Sequence, residues 1–444
     1  MSEGFFDGNR RWVYTQSVQG RFQRLHRWSG RVLLAFLVGI PWVSVAGHPA
    51  VQFDIPGRRV YALGTIFTTS DGFLLALFGF LAAFSLFFFT SLFGRLWCGY
   101  ACPQTVFLEE FARPIDRFFE GDRSQRKSLD AGDWTASKVA RKAGKYLALL
   151  AVSAFASTSF VSWFSGAHDL YTLQAGSTAY GITAAFTLMW FADLAWFREQ
   201  FCNYLCPYAR FQGALCDDES LVVRYDTKLG EPRAPGKASL AENHCIDCKK
   251  CVTTCPQGID IRDGFQLECI MCGRCIDACD GVMGKAGKQS LIEYNTQAAV
   301  TGAKPRLIRP RTVAYLTLML AATTGIVAML ALHQPMEASV SRSPGPLWTV
   351  DTDGWVRNTF LLDVTNNEAV DTPVKYTVTV TGLPEGAVFD VPEIVLGTTQ
   401  HRRVPLIVRV PPNANIPHHI PVHVVVHAPA GDVVRETSLK IPRS

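Results

Sequence analysis

Before Cys98 and beyond Cys279 the chain has no cysteine; all 13 fall in the interval between. A long C-terminal segment without thiols has no disulfide framework to hold it together, so a small stapled fold is excluded there. The chain also lacks a G-x-G-x-x-G turn and a P-loop lysine motif. It therefore carries no signature for binding a dinucleotide or for spending ATP. Charge is scarce too. Asp, Glu, Lys and Arg make up 18% of residues against 48% hydrophobic, and the mean hydropathy of +0.12 is too high for an ordinary soluble enzyme.

The missing charge is concentrated in runs. Val32–Phe53, Gly72–Gly94, Tyr146–Ala167, Leu170–Ala192 and Val313–Leu332 are uncharged, each at or near the ~20 residues a helix needs to cross a bilayer. They predict five transmembrane helices. The first run, ending near "SVAG" at 44–47, imitates a signal peptide. Its lead-in is long for an n-region, and Pro41–Trp42 reads as a kink and interface anchor, so the segment is taken as retained.

Lys and Arg set the orientation. Six Arg lie in residues 1–31, two in the first loop, ten Lys/Arg between Arg95 and Lys145, none in 166–179, and sixteen from Arg198 to Arg311. Because the excess marks cytoplasmic loops, the N-terminus and the two large basic loops are expected inside, with everything after the fifth span outside. The net charge of +5 is then a topology signal and not a nucleic-acid footprint. Thiols on the reducing side are metal ligands or redox centres more often than disulfides.

The expected organisation is a multi-domain membrane protein. A four-span membrane domain covers 1–225, its first 30 residues a basic, aromatic lead-in at the interface. A Gly/Pro/Lys linker follows at 226–244, a ferredoxin-type domain at 245–300 and the fifth span at 301–335. An all-β sandwich occupies 336–444, where "VKYTVTV", "RVPLIVRV" and "VHVVVHA" alternate with Pro/Gly/Asn turns; six or seven short strands in ~100 residues point to an immunoglobulin-like fold.

The strongest motif is "CIDCKKCVTTCP" at 245–256 with "CIMCGRCIDAC" at 269–279. Both read C-x2-C-x2-C-x3-C. In that pattern three close thiolates take three corners of a cubane and the fourth comes from the other run. One [4Fe–4S] cluster is therefore expected on Cys245, Cys248, Cys251 and Cys279, the other on Cys269, Cys272, Cys275 and Cys255. Zinc sites are built from pairs of pairs and do not predict this arrangement.

A second pattern is "RLWCGYACPQ" at 95–104, echoed by "QFCNYLCPYA" at 200–209. Residues i and i+4 share a helix face, so Cys98 with Cys102, and Cys202 with Cys206, are expected to point the same way. Packing of the second and fourth spans would bring the four thiols together as a copper or redox site. A single CxxxC is ordinary buried cysteine; its repetition favours function. Cys216 has no partner at useful spacing and reads as structural, with Asp217 and Asp218 as solvated surface. Five histidines, His401, His418, His419, His423 and His427, fall in the outer domain. Imidazole suits copper, but His423 and His427 on one strand stand ~13 Å apart, too far to share an ion.

With these residues, and with "GRFQRL", "FDIPGRR", "WCGYACPQTVFLE", "CNYLCPYARFQ" and "VVRYDTKLGEPR", the chain resembles the CcoG/FixG/RdxA family of accessory proteins for cbb3-type cytochrome c oxidase assembly. The resemblance runs end to end. It departs at Thr68–Asp71, where a Trp-Pro-Gln-Asp-like turn is expected, and at Cys216, where a plain hydrophobe is. It implies a multi-pass bacterial inner-membrane protein with cytoplasmic clusters and a periplasmic sandwich. Such a protein would reduce Cu(II) to Cu(I) and work with oxidase assembly factors, copper chaperones or a copper transporter; the electron donor stays unassigned. Two alternatives remain open: a quinol-linked membrane ferredoxin, and a non-enzymatic redox-sensing assembly scaffold.

Overall fold

In the structure, a computed structural model, the chain divides into two compact units: Met1–Trp42 with Ala76–Gly325, and Val43–Leu75 with Ile326–Ser444. The structure describes residues 12–442 apart from 46–47, 58, 64, 68–71, 234, 236–243, 301–305, 307, 332–335, 367–372, 398–399, 413–416 and 430. Arg58, the Thr68–Asp71 turn and, within the 226–244 linker, 234 and 236–243 lie outside the described residues.

Among the described residues three helices are long and apolar enough to cross a membrane: Gly72–Phe93, Ala136–Ser165 and Pro310–Ala331. Five spans are thus not confirmed, and the two that differ have visible causes. The helix Arg21–Gly39 begins inside the polar lead-in and ends before Pro41. The proline has no N–H for the carbonyl of Leu37, and its ring would crowd that carbonyl; the oxygen is taken instead by the indole N–H of Trp163 at 2.8 Å. The chain then runs into short strands at Ser44–Val45, His48–Pro49 and Val51–Asp54, so the first run does not continue as helix to Phe53. In the fourth run, a short helix Ala167–Tyr171 and a turn with Leu173 at φ 63° delay the main helix to Ser177–Ala192. That helix winds on as a π-helical turn, Asp193–Phe197.

The cysteine-rich region is built on a two-stranded antiparallel sheet, Leu221–Tyr225 against Ile292–Thr296, so the ends of the 1–225 and 245–300 segments are hydrogen-bonded together. Val223, Ile261, Met271, Ile276, Met283, Leu291 and Ile292 form its core. The lead-in is tied to this core. Gln16 N–H donates to the Thr253 carbonyl at 2.9 Å, and Thr254 Oγ1 donates to the Gln16 carbonyl at 2.9 Å. Gly20, at the start of the first helix, has no side chain to cap it, and buried Asp277 does so from another helix, accepting from the N–H groups of Phe22 at 3.2 Å and Gln23 at 2.7 Å.

In the second unit, one sheet runs Val388–Asp390, His401–Val410, Val356–Asn366, Met336–Arg342, with Thr349–Val350 beside Val356–Asn366. The other runs Ile394–Leu396, Val374–Thr381, His419–Ala428, Gly431–Lys440. Every second residue of Val356–Asn366 is buried. Phe360, Leu362, Val364, Leu406, Val408, Val424, Val426 and Leu439 fill the space between the sheets, as the period of two requires.

Candidate iron-sulfur and thiol site

Each cysteine run folds as a loop that enters a helix, Lys250–Thr254 from the first and Arg274–Met283 from the second. The two loops match residue for residue. Asp247 and Met271, just before the middle cysteine, have φ 50° and 55°; Lys249 and Gly273, just after it, have φ 53° and 71°. Two left-handed residues in so short a stretch coil the backbone around its own cysteines. For the non-glycine ones this costs roughly 1 kcal/mol each. Gly273 is required for a further reason: a Cβ there would stand 2.8 Å from Phe22 Cγ and 3.0 Å from the Tyr294 hydroxyl.

The structure brings the expected quartets together. Cys245, Cys248, Cys251 and Cys279 line one cavity, walled by Ile246, Val282, Met283 and Leu291. Cys255, Cys269, Cys272 and Cys275 line a second, with Val223, Ile259, Ile261 and Ile270. Cys251 borders both. Burial drives the thiols of Cys251, Cys269 and Cys272 up to about 12. Backbone N–H groups are aimed at sulfur: Met271 on Cys269 at 3.4 Å, and those of Ile259, Gln257 and Gly258 on Cys255. Donors to sulfur in an apolar cavity are what cluster thiolates use. Among the described residues no three His, Cys, Asp or Glu side chains close on a single ion. Soft donors in two sets of four, around apolar-walled cavities, fit cubane clusters.

The CxxxCP turns differ from expectation in local form. Cys98 sits in the short helix Leu96–Tyr100, whereas Cys102 is extended and caps the next helix, Pro103–Phe107. Likewise Cys202 lies in a π-helical turn, Phe201–Leu205, and Cys206 caps Pro207–Leu215. Neither pair shares one helix face, because proline fits the first position of a helix and not its interior. The two turns nevertheless approach each other: Cys102 and Cys206 lie close enough to Cys98, and all three close enough to Cys202, to disfavour its thiolate. Burial pushes Cys98 up to about 11 and raises Cys102 and Cys202 as well.

This group lies against the second cysteine loop. Cys98 packs on Ile270 and Cys272. The Tyr100 hydroxyl donates to the Cys272 carbonyl at 3.2 Å, Tyr294 to that of Met271, and Arg95 N–H reaches Met271 Sδ at 3.1 Å. Fully buried Gln212 accepts from Arg95 Nε at 2.6 Å and from the Cys98 thiol at 3.4 Å. Gln212, Tyr100 and Tyr294 carry no spacing signal and were not legible in the sequence. Below them Glu109 bridges Arg113 and Arg274, 2.6 Å from the latter, all buried; Asp116 meets Arg198 at 2.6 Å and Arg126 at 2.8 Å.

Cys216 caps the end of the helix Pro207–Leu215, its N–H on the Gln212 carbonyl at 2.9 Å, and Asp217 is not free surface: Arg309 and the hydroxyl of Ser220 bind its carboxylate. The outer histidines disperse. His401 faces Asp363, His418 the Ile441 carbonyl, His423 Glu436 and His427 Asp432; His419 lies opposite Lys440 in the strand register.

Apolar helices, paired thiol cavities and a separate β-sandwich define a membrane-associated iron–sulfur electron-transfer protein. Comparison with known proteins places it more closely. Residues 197–297 match a family model described as a 4Fe-4S dicluster domain, 74–121 one described as a 4Fe-4S binding domain, and 326–442 the IG-like fold at the C-terminal of FixG, putative oxidoreductase. The chain is 34% identical over 404 residues to the nitrogen fixation protein FixG of Rhizobium meliloti, covering 80% of this chain and 77% of that one. It is 35% identical over 378 residues to protein RdxA of Cereibacter sphaeroides, covering 81% and 80%, and 34% identical over 379 residues to protein RdxB of the same organism, covering 80% and 79%. The chain belongs to the FixG family.

Proposed function

We propose that Cys245, Cys248, Cys251 and Cys279 hold one [4Fe–4S] cluster, that Cys269, Cys272, Cys275 and Cys255 hold the other, and that Cys98, Cys102, Cys202 and Cys206 bind copper and keep it as Cu(I). When bound, the clusters supply single electrons, and Cu(II) becomes Cu(I) by taking one. The observation that carries the reading is the packing of Cys98 on Cys272, which sets the thiol group against the second cavity. Thiolates select the soft cuprous ion. Because burial raises Cys98, Cys102 and Cys202, a metal must displace their protons, so Cu(I) affinity should rise with pH. Backbone N–H groups of Gln104 and Thr105 at Cys102 help the thiolate form. Use of that copper in assembling a cbb3-type oxidase rests on the resemblance, and the Lys/Arg asymmetry supports clusters inside and sandwich outside.

The test has two parts. Purified protein should carry about eight iron per chain, and replacing Cys102 and Cys206 together with Ser should leave the cluster EPR intact while copper-dependent reoxidation slows and Cu(I) retention falls. About twelve iron, dropping in that double variant, would give the four thiols to a third cluster and end the copper reading. A phosphatase fused at Ser444 should be active and one after Gly230 inactive; the reverse overturns the orientation.

A further inference from the structure

The two cysteine loops are copies of one device in opposite surroundings, and the difference gives the electron a way in. In the second loop the position after the middle cysteine is Gly273, closed over by Phe22 and Tyr294, and the next is Arg274, 3% exposed and tied to Glu109. In the first loop the same positions are Lys249, whose side chain is 62% exposed, and Lys250, also exposed. Lys249 keeps a left-handed backbone, φ 53°, that glycine would hold without strain. Between the loops lies a further asymmetry: Cys248 is exposed, while Cys272 is buried against Cys98. No other cysteine of the chain is exposed. The neighbouring carboxylates are engaged. Asp247 lies 2.5 Å from Arg262 and 4.0 Å from Lys249, and Asp260 2.6 Å from Arg262. Among the described residues, Lys249 and Lys250 are the exposed cations at the tip.

We propose that the Cys248–Lys249–Lys250 tip is the docking surface for a soluble, acidic one-electron carrier protein, which reduces the chain through the first cavity. The second cavity, walled in by the first helix and the CxxxCP turn, is then the exit toward the thiols. Each encounter oxidises the carrier by one electron and reduces the protein by one; delivery to Cu(II) yields Cu(I), and no bond or proton moves at the docking surface. The inference rests on the cluster reading above. Opposite charge steers such encounters and makes them salt-sensitive.

The test uses the full-length protein in detergent with an acidic flavodoxin as carrier. Lys249→Glu with Lys250→Glu should weaken binding of the oxidised flavodoxin, measured by calorimetric titration, at least tenfold. It should also slow reduction by the flavodoxin hydroquinone at least tenfold in stopped flow. Reduction by dithionite and the cluster EPR should not change. Parent binding should weaken as salt rises from 50 to 300 mM. Unchanged binding and flavodoxin-driven reduction in the variant would overturn the docking surface, as would reduction of parent and variant alike by quinol alone. A parent that contains no iron would instead remove the cluster reading, a distinct failure.

Discussion

Replacing Gly99 by Ala puts one methyl group between the Cys98 turn and the second cysteine loop. An ideal Cβ stands 2.6 Å from the Ile270 carbonyl oxygen and 3.1 Å from both N and Cα of Cys272. Ordinary contact begins near 3.4 Å, so the two backbones must part by 0.8 Å at the tightest point, the difference between 3.4 and 2.6 Å. All the atoms met are main chain, and none can swing aside. The loop is further pinned by Tyr100 on the Cys272 carbonyl and by Arg95 on Met271. Overpacking of this kind costs about 1–3 kcal/mol. Stretching a neighbouring hydrogen bond adds up to about 1 kcal/mol, and the helical preference of Ala over Gly returns a similar amount. The net expectation is destabilisation by about 1–3 kcal/mol. Gly281, in the helix Arg274–Met283, has nothing within 4 Å of a Cβ; Ala there should stabilise by about 0.5–1 kcal/mol. Urea titration of the protein in detergent, following cluster colour, should give a lower midpoint for Gly99→Ala and a higher one for Gly281→Ala. A Gly99→Ala midpoint at or above that of the parent would refute the close approach of the two turns.

Three other outcomes follow from buried charge. Asp277→Ala removes the cap of the first helix and strands two N–H donors, a loss of about 1–3 kcal/mol; limited proteolysis should cut the lead-in near residue 20 faster while Cys98 remains protected from alkylation. Glu109→Gln leaves Arg113 and Arg274 facing each other without their shared carboxylate and should cost about 3–5 kcal/mol, read as a lower urea midpoint. His26, buried beside Tyr100, is lowered to about 4 by burial and by Arg274 and Arg113. The unfolded chain binds the proton near pH 6.5 and the folded one does not. Its contribution is therefore complete above about pH 6.5 and fades as pH falls toward 4, worth at most roughly 3 kcal/mol. His26→Gln should flatten the urea midpoint across that window.

That Cys245, Cys248 and Cys251 come to one cavity was legible because their close spacing puts them within one coiled loop. The alternation in Val356–Asn366 was readable for a similar reason, since a sheet face repeats every second residue. The CxxxCP turns were misread as helix faces although the correcting signal was present. Pro103 and Pro207 suit the first helical position, which makes Cys102 and Cys206 caps. The first span failed at Pro41 by the same rule. Nothing local announced Gln212 or the Tyr100–Tyr294 pair, whose roles depend on chain segments far apart in sequence. Asp277 is the plainest case, a carboxylate whose function is 255 residues away from the helix it caps.

That separation has a consequence in time. Ribosomes add about 5–20 residues per second, so Asp277 emerges about 13–50 s after the helix beginning at Arg21. Throughout that delay the newborn helix has an open amino end; Tyr14 in the lead-in can meet Arg123 and Asp130 early, but Gln16 waits for Thr253 and Thr254. The apolar segments up to Ala192 are meanwhile already made. They are thus available for insertion before the N-terminus can be fastened, and the cysteine domain is the clasp that closes that end of the unit.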